Sequence, residues 1–251
     1  MEQSFIHASH GLLVVIPTYN EIENIKAIIE AVLALEVGAH VLIVDDNSPD
    51  GTAAAVKEMQ QAHEGRVFLL QRAGKQGLGS AYIAGFTWGL SHDYRYICEM
   101  DADFSHDPND VPRLLEACER HGADVAIGSR YSNGFRVKNW PWHRILLSYC
   151  ASLYVRMVTR MPIKDTTAGF VCYRAEGLRK ILWYEIRMNG YGFQIEMKYY
   201  AHRLGFTIEE VPIYFTDRLR GKSKMSGGIF SEALWGVLRM RMKCSVPKRR
   251  K

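Results

Sequence analysis

Short apolar runs alternate with longer amphipathic stretches along the first half of the chain. Runs typical of strands buried in a parallel sheet occur at residues 12–16, 40–44, 66–70, 94–100 and 124–128. Stretches with apolar residues at helical spacing occur at 23–35, 52–63, 80–90 and 111–121. This alternation predicts βαβ units, and therefore an α/β fold with a mostly parallel central sheet flanked by helices.

The second half is less regular. Residues 144–159 and 191–204 are typical of helices, and 168–174 and 207–215 of strands. Because no linker rich in Pro, Gly or Ser divides the chain, we expect one continuous domain over residues 1–228. Residues 229–251 then form a C-terminal amphipathic helix and a basic tail.

Composition narrows the class of protein only slightly. The 251 residues are 47% hydrophobic with a net charge of +5, so the chain can bury a sizeable core. Its five cysteines include no C-x-x-C pair, which argues against a zinc site or a disulfide framework. Because neither a secretory signal nor an apolar run of about 20 residues occurs, we expect a soluble or peripheral protein.

Polar clusters follow three of the predicted strands. Residues 17–21 follow the first strand, 45–48 the second and 101–103 the fourth. Ligands of open α/β sheets bind beyond the carboxyl ends of the strands. We therefore expect the three clusters to converge on one cleft.

The carboxylates in these clusters suit different tasks. Asp101 and Asp103 are separated by one small residue, and such a pair of hard oxygen ligands suits Mg²⁺ or Mn²⁺ carrying a diphosphate. Packing Asp45, Asp46 and Asp50 around the same ion would be unfavourable because like charges repel. Asp46 is better suited to hydrogen bonding a base or ribose, and residues 50–52 to a turn that leads into a helix.

Basic residues offer charge for a phosphate. Arg130 follows the fifth strand, and the glycine-containing segment 217–228 carries Arg218, Lys222 and Lys224. Such a segment can close over a diphosphate and neutralise the leaving group, or it can be an ordinary surface loop. His106 and His143 are lone histidines of the kind that is more often structural than catalytic.

Six motifs occur in order and identify a family resemblance. They are Pro17-Thr-Tyr-Asn-Glu21, Val44-Asp-Asp-Asn-Ser-Pro-Asp-Gly-Thr52, Gly77-Leu-Gly79, Met100-Asp-Ala-Asp-Phe-Ser-His106, Gly128-Ser-Arg-Tyr131 and Asp217-Arg-x-x-Gly-x-Ser-Lys224. Together they resemble inverting glycosyltransferases of family 2, which have the GT-A nucleotide-sugar-binding fold. The resemblance runs from about residue 12 to residue 240. It implies transfer of mannose from GDP-mannose to dolichyl or polyprenyl monophosphate, with Mg²⁺ or Mn²⁺ as the cofactor.

The resemblance also assigns roles to individual residues. The guanosine would be held by Pro17, Tyr19, Glu21, Val44 and Asp46. The diphosphate and metal would lie against Asp101, Ala102 and Asp103, with the two aspartates as metal ligands. The acceptor phosphate would lie near Arg130, Arg144 and Ser148. The diphosphate would be gripped by Arg218 and Lys224. The catalytic contribution would come from Asp103, Arg130, Arg218 and Lys224. Some relatives have Gln as a further metal ligand where this chain has Ser105.

The implied acceptor bears on mechanism and partners. A lipid monophosphate is already ionised near neutral pH, so it can attack without a general base. Residues 229–242 carry apolar positions at helical spacing before a basic tail, which suits either an interfacial helix or an ordinary packed one. We expect a peripheral protein at the cytoplasmic face of a membrane, bound directly or through separate membrane-anchoring subunits, and no nucleic acid partner.

Two alternatives remain open on the sequence. The first is transfer of glucose or another sugar from a UDP-sugar to the same kind of lipid. The second belongs to a different class, a nucleotide-sugar or nucleic-acid binding module without turnover. The clustered acids in the predicted cleft argue against the nucleic-acid version, because phosphate backbones require basic contacts.

Overall fold

A computed structural model describes residues 11–188, 190–217 and 228–243. Nine strands are present in these ranges: β1 (Leu12–Thr18), β2 (His40–Asp45), β3 (Val67–Gln71), β4 (Tyr96–Glu99), β5 (Val125–Ser129), β6 (Val137–Lys138), β7 (Val171–Arg174), β8 (Ile208–Pro212) and β9 (Phe215–Thr216). Seven strands form one sheet in the order β3-β2-β1-β4-β7-β5-β8. Only β7 runs antiparallel to its neighbours, β4 and β5, so the predicted α/β class with a mostly parallel sheet is confirmed.

Eight α-helices lie in the described ranges: α1 (Ile25–Leu33), α2 (Thr52–Ala62), α3 (Leu78–Ser91), α4 (Val111–Glu119), α5 (Trp142–Thr159), α6 (Ala175–Leu182), α7 (Gly190–Arg203) and α8 (Gly228–Lys243). A short 3₁₀ turn at Pro108–Asp110 leads into α4. Helix α6 was not predicted, because at eight residues it is too short to give a clear helical period. None of the helices among the described residues is both long and apolar enough to span a membrane.

The strand predicted at 207–215 is interrupted, and this prediction was wrong in extent. Strand β8 ends at Pro212, which has no main-chain N–H for a continuing ladder. After Ile213 the chain turns away, and β9 pairs with β6 in a separate two-stranded sheet. This change of partner carries Asp217 to the neighbourhood of Lys138, whose carbonyl accepts from the Asp217 main-chain nitrogen at 3.2 Å.

The sheet separates two hydrophobic cores. Along β1, Leu12, Val14 and Ile16 pack on one face and Leu13 and Val15 on the other. All five side chains are at most 1% exposed. Burying an aliphatic side chain of this size stabilises the fold by about 1.5–3 kcal/mol, so this central strand contributes strongly to both cores.

Helix α8 lies against α7 and α5. Val237 and Met240 on its inner side are buried, whereas Trp235 is 70% and Met242 79% exposed. The helix is therefore packed along one side, and contact of its outer side with lipid stays a prediction, as does the domain boundary at residue 228.

Candidate active site

The carboxyl ends of β1, β2 and β4 lie side by side because these strands are neighbours in the sheet. Thr18 at the end of β1 donates from Oγ1 to Asp45 Oδ1 at 2.9 Å. The main-chain nitrogen of Asp46 donates to the Thr18 carbonyl at 3.0 Å. The strand-end clusters predicted from the sequence are thus brought together at one edge of the sheet.

Asp45 fixes the turn that follows β2. It is fully buried, and Ser48 donates to its carboxylate from the main-chain nitrogen at 2.9 Å and from Oγ at 2.6 Å. Asn47 adopts φ 57° in this turn, a left-handed conformation that asparagine tolerates better than most residues. Asp45 is therefore satisfied within the turn, and contact of Asp46 with a nucleoside stays a prediction.

The five residues predicted to hold the nucleoside lie at the ends of β1 and β2. Pro17 and Val44 are register partners across the two strands. The following segment is held on the β2–α2 turn by two bonds, from Asn20 N to Ser48 Oγ and from Glu21 N to Thr52 Oγ1, both of 3.0 Å. These bonds place Tyr19 and Glu21 beside the turn that carries Asp46. The rim is also basic here, since Lys75 Nζ lies 5.1 Å from the centroid of the Tyr19 ring.

Asp46 has a partner that the sequence analysis missed. Arg72 Nε donates to Asp46 Oδ1 at 2.5 Å, and the two side chains are only 10% and 8% exposed. A single arginine after a strand belongs to none of the quoted motifs, so nothing in the sequence marked it. The contact forms because β3 lies beside β2 and ends at the same edge of the sheet.

The Asp101–Ala102–Asp103 segment turns sharply after β4. Asp103 is 5% exposed and its Oδ1 accepts from Ser105 N at 3.0 Å. Phe104 adopts φ 59°, a conformation that is strained for a bulky residue and clusters at functional sites. Tyr82 on α3 donates from its hydroxyl to Asp101 Oδ1 at 3.2 Å. Both carboxylates are therefore oriented by contacts within the protein.

His106 supports the same turn, although the sequence analysis set it aside. Its Nδ1 accepts from the main-chain nitrogen of Asp101 at 3.2 Å. The ring stacks on Phe170 at 4.9 Å and meets Phe215 edge-on at 5.3 Å. Burial lowers the pKa of His106 to about 4, so the imidazole is neutral and Nδ1 can act as an acceptor. The sequence analysis gave no sign of this bond, and the absence of a catalytic role for His106 stays a prediction.

The two carboxylates after β4 suit a metal ion that binds together with a diphosphate. Within the described ranges, no group of three or more His, Cys, Asp and Glu side chains could hold a metal alone. Mg²⁺ commonly binds one or two carboxylates together with substrate phosphates rather than a cage built from protein. Asp101 and Asp103 fit that arrangement. They would hold the ion, and the ion would stabilise charge on the leaving diphosphate.

Arg130 lies in a buried ion pair. Its Nε and Nη2 donate to the two oxygens of Asp165 at 2.7 and 2.6 Å, and Nη2 also donates to Thr167 Oγ1 at 2.8 Å. Asp165 is fully buried, and its burial would raise its pKa, but the charge and hydrogen bonds of Arg130 hold the pKa below its usual range. Direct contact of Arg130 with a phosphate stays a prediction. The structure places its guanidinium 5.6 Å from the ring centroid of Phe215, which also contacts His106.

Arg144 and Ser148 lie on the first turns of α5. Arg144 Nη1 donates to Asp217 Oδ1 at 3.0 Å, and its guanidinium lies 4.1 Å from the ring centroid of Trp140. The Ser148 hydroxyl lies beside the phenol of Tyr131. Arg218 and Lys224, predicted to grip the diphosphate, lie outside the described residues. Asp217, the last residue described before them, is joined to Arg144.

These features define the class of protein. A mostly parallel sheet, polar clusters at the ends of β1 and β2 and a carboxylate pair after β4 are the features of a GT-A glycosyltransferase. The family model described as "Glycosyl transferase family 2" matches residues 13–182. The chain belongs to glycosyltransferase family 2, and the predicted family and enzyme class are confirmed.

Two curated relatives are nearly half identical to the chain. A polyprenol monophosphomannose synthase of Mycolicibacterium smegmatis is 48% identical, over 92% of this chain and 89% of the relative. An undecaprenyl-phosphate mannosyltransferase of Micrococcus luteus is 46% identical, over 91% of this chain and 93% of the relative.

Solved structures share the fold at low sequence identity. A glucosyl-3-phosphoglycerate synthase from Mycobacterium tuberculosis, in complex with Mn²⁺, UDP and glucosyl-3-phosphoglycerate, has a TM-score of 0.64 and 17% identity, covering 96% of this chain and 82% of the other. A mannosyltransferase from Pyrobaculum calidifontis, in complex with GDP-Man and Mn²⁺, has a TM-score of 0.62 and 13% identity, covering 94% and 65%. At such identity the likeness concerns the fold alone, and it agrees with the GT-A expectation.

Proposed function

We propose that this enzyme transfers mannose from GDP-mannose to a polyprenyl monophosphate, such as a dolichyl or undecaprenyl phosphate. The main support is that two relatives, 48% and 46% identical over about nine-tenths of the chain, are named for mannosyl transfer to this kind of lipid. The guanine nucleotide is supported by the GDP-Man complex of a mannosyltransferase with the same fold. Since UDP is bound by another protein of this fold, the donor base is the point that most needs a test.

The arrangement of charge supports a single displacement. An oxygen of the lipid phosphate attacks C1 of the sugar, the bond from C1 to the diphosphate oxygen breaks, and GDP leaves with that electron pair. Attack from the opposite face gives inversion, hence a β-linked product from an α-linked donor. The attacking phosphate is ionised already, so no proton has to be removed by the protein.

The residues of the chain would share this task. Asp101 and Asp103 would hold Mg²⁺ or Mn²⁺ against the diphosphate, because hard carboxylate oxygens match these ions. Arg144 would attract the acceptor phosphate, and Arg218 and Lys224 would neutralise the leaving group. Arg130 has neighbours in both regions: its guanidinium lies near Phe215, which contacts His106, and near Trp140, which also contacts Arg144.

The proposed lipid acceptor fits an exposed apolar stripe on α5. Trp142, Leu146, Leu153 and Met157 are 39–75% exposed and recur at helical spacing, with the exposed Cys150 between them. Such a stripe suits the interface of a bilayer. Residues 130–164 around it contain seven Lys and Arg and no Asp or Glu, which favours anionic headgroups. We include a membrane surface at the cytoplasmic face among the proposed partners, with anchoring subunits as a second route.

A transfer assay tests the proposal. The protein is incubated with radiolabelled GDP-mannose, undecaprenyl phosphate and Mg²⁺ or Mn²⁺, and the label that partitions into organic solvent is counted. We expect lipid-linked label that disappears with EDTA, and a β-anomer by NMR. A clear preference for UDP-glucose would instead establish the UDP-sugar alternative. Absence of turnover with every donor, together with salt-sensitive RNA retention, would support a binding module.

A further inference from the structure

Arg72 lies directly after β3 and joins two segments of the nucleotide side of the site. Its main-chain nitrogen donates to the Asp45 carbonyl at 2.8 Å, which extends the pairing of β3 with β2 by one residue. Its side chain then reaches across to Asp46, where Nε donates to Oδ1 at 2.5 Å. Since both side chains are about nine-tenths buried, this ion pair is largely shielded from water.

The rest of the guanidinium is bound to the start of α3. Nη1 donates to Ser80 Oγ at 2.8 Å, and Nη2 lies 3.4 Å from the carbonyl of Gly77. Ser80 Oγ in turn lies 2.8 Å from the same carbonyl. The planar, rigid fork of an arginine is thus fixed at three points, and its donors are directed at protein acceptors. This geometry suits a group that orients another side chain.

The contact between Arg72 and Asp46 involves one carboxylate oxygen. Among the described residues, Arg72 is the one side chain that hydrogen-bonds this carboxylate, and it does so at Oδ1. An ionised carboxylate can accept at both oxygens, so Asp46 held in this way can still accept from a ligand at Oδ2. In a nucleoside, the matching donors are ribose hydroxyls and the N–H groups of a purine such as guanine.

We propose that Arg72 is a positioning residue that fixes Asp46 as an acceptor for the nucleoside of the donor, and so sets how strongly the enzyme discriminates between nucleotides. The inference rests on the proposed function in one respect, the binding of a nucleotide-sugar. A site that is built to hydrogen-bond a particular donor group rejects analogues that lack it, because the buried acceptor is then left unpaired. Loosening Asp46 should therefore weaken both affinity and discrimination.

A second arginine provides a matched control at the opposite end of β3. Arg66 precedes the strand, and its Nη2 donates to the carbonyls of Leu33 and Ala39 at 3.1 and 2.9 Å. These contacts lie at the amino-terminal edge of the sheet, away from the strand ends that form the site. Arg66→Gln removes the same number of atoms and a comparable set of buried hydrogen bonds without touching Asp46.

The experiment compares Arg72→Gln, Arg72→Lys, Arg66→Gln and Asp46→Asn in the full chain. Binding of GDP and UDP with Mg²⁺ is measured by calorimetry, and KM and kcat are measured in the transfer assay. A hydrogen bond to a charged group contributes about 1.5–3 kcal/mol, so Arg72→Gln should weaken GDP binding roughly 10- to 150-fold. We expect KM to rise similarly while kcat changes less than about threefold, and the preference for GDP over UDP to shrink. Arg66→Gln should leave both nucleotide affinities within about twofold.

Two further readouts separate positioning from folding. Arg72→Lys keeps a charge near Asp46 but loses the fork, so it should recover part of the lost affinity. The double variant Asp46→Asn/Arg72→Gln should bind GDP no more weakly than Asp46→Asn, because both changes remove one interaction. Additive losses, or an Arg72→Gln protein with unchanged GDP affinity and GDP-to-UDP ratio, would overturn the proposal. If Arg72→Gln does not fold, Arg72→Lys and Asp46→Asn decide the question by the same binding measurements.

The experiment distinguishes failure of the Arg72 proposal from failure of the GDP-mannose assignment. If the unmodified enzyme binds UDP more tightly than GDP, the GDP-mannose assignment fails. The proposal for Arg72 is then judged by the effect of Arg72→Gln on the preferred nucleotide. An unchanged affinity for that nucleotide would overturn it as well.

Discussion

The two halves of the molecule differ in charge and in the surface that they expose. Residues 11–129 contain 18 Asp and Glu against 8 Lys and Arg, whereas residues 130–251 contain 8 against 24. Of the large hydrophobic side chains exposed among the described residues, Ile22 and Leu78 belong to the first half and the other ten to the second. The acids proposed to hold a metal ion and the bases proposed to attract a phosphate are thus separated along the chain. The difference agrees with the proposal that one half binds the metal and the nucleotide and the other an anionic lipid.

The halves also differ in how their functional side chains are held. In the first half, local bonds such as those from Ser48 to Asp45 and from Ser105 to Asp103 act together with bonds between neighbouring elements, such as that from Arg72 to Asp46. In the second half the partners are distant in sequence, as in Arg130 with Asp165 and Arg144 with Asp217.

The acidic half is tested most directly at Asp103. Asp103→Asn keeps the shape and an oxygen that can accept from Ser105, but removes a negative charge from the proposed metal ligands. Because a metal contributes several kcal/mol to stabilising the leaving group, we expect transfer to fall on the order of 10⁴-fold. Initial rates with GDP-mannose and a Mn²⁺ titration by electron paramagnetic resonance measure the effect.

The matched control for Asp103 is Asp107→Asn in the same loop. Asp107 is exposed and accepts from the main-chain nitrogen of Asn109, so its loss should change the rate less than about twofold. Retention of more than a tenth of the activity by Asp103→Asn would contradict the metal role and remove the main distinction between the halves.

Sequence patterns predicted the strands of the first half and the residues at their ends, because these positions follow from topology. Once β1, β2 and β4 are identified as parallel strands, the positions of Asp46, Asp101 and Asp103 at one edge follow. The role of Arg72 was not predicted because its contact with Asp46 depends on where β3 ends beside β2. The role of His106 was not predicted because this side chain bonds the main-chain nitrogen of Asp101. Arg72 lies outside the quoted motifs, and the motif that ends at His106 does not reveal the main-chain bond of this side chain.

The second half was less predictable for a related reason. The break between β8 and β9 depends on Pro212 and on a pairing with β6, a strand of two residues. The pairing of Arg130 with Asp165 joins residues 35 positions apart. No periodicity encodes either, so the motif containing Arg130 was visible while its buried ion pair was not.

The basic half is tested at its buried ion pair. Asp165→Asn leaves the Arg130 guanidinium buried without a counter-charge, which typically costs about 3–5 kcal/mol. We expect a loss of that size in the free energy of unfolding from urea denaturation. Glu209→Gln is the control, because its pair with His121 is exposed and should contribute less than about 1 kcal/mol. Equal losses for the two variants would show that the long-range pair does not stabilise this half.

His106 lies where the two halves meet and gives the site a dependence on pH. Its pKa is about 4 in the folded protein, below the value of about 6.5 expected when unfolded. Between these values the unfolded chain binds a proton that the folded protein does not, so stability falls as pH drops from 6.5 towards 4. The stability advantage of the wild type over His106→Asn should therefore shrink by about 2 kcal/mol from pH 7 to pH 5.

This pH dependence is measured by urea denaturation in metal-free buffer at several pH values. His92→Asn, at an exposed histidine, serves as the control and should track the wild type across the range. If the free energies of unfolding of wild type and His106→Asn differ by the same amount at all pH values, the His106 ring is not held in its neutral form by the folded protein.

The smallest expected effect concerns the exposed apolar surface of the second half. Leu146 is 53% exposed on α5, and Ile22 is 42% exposed in the first half, so the two offer similar apolar area to a bilayer. If only the second half meets lipid, Leu146→Ser should lower partitioning onto phosphatidylglycerol vesicles about tenfold, which corresponds to about 1.4 kcal/mol of apolar burial. Ile22→Ser should leave partitioning unchanged. Co-sedimentation at constant ionic strength measures both, because salt would otherwise alter the contribution of the basic residues. Equal losses of partitioning in the two variants would place the membrane contact on both halves. Unchanged partitioning of Leu146→Ser would mean that charge alone attracts the protein to the bilayer.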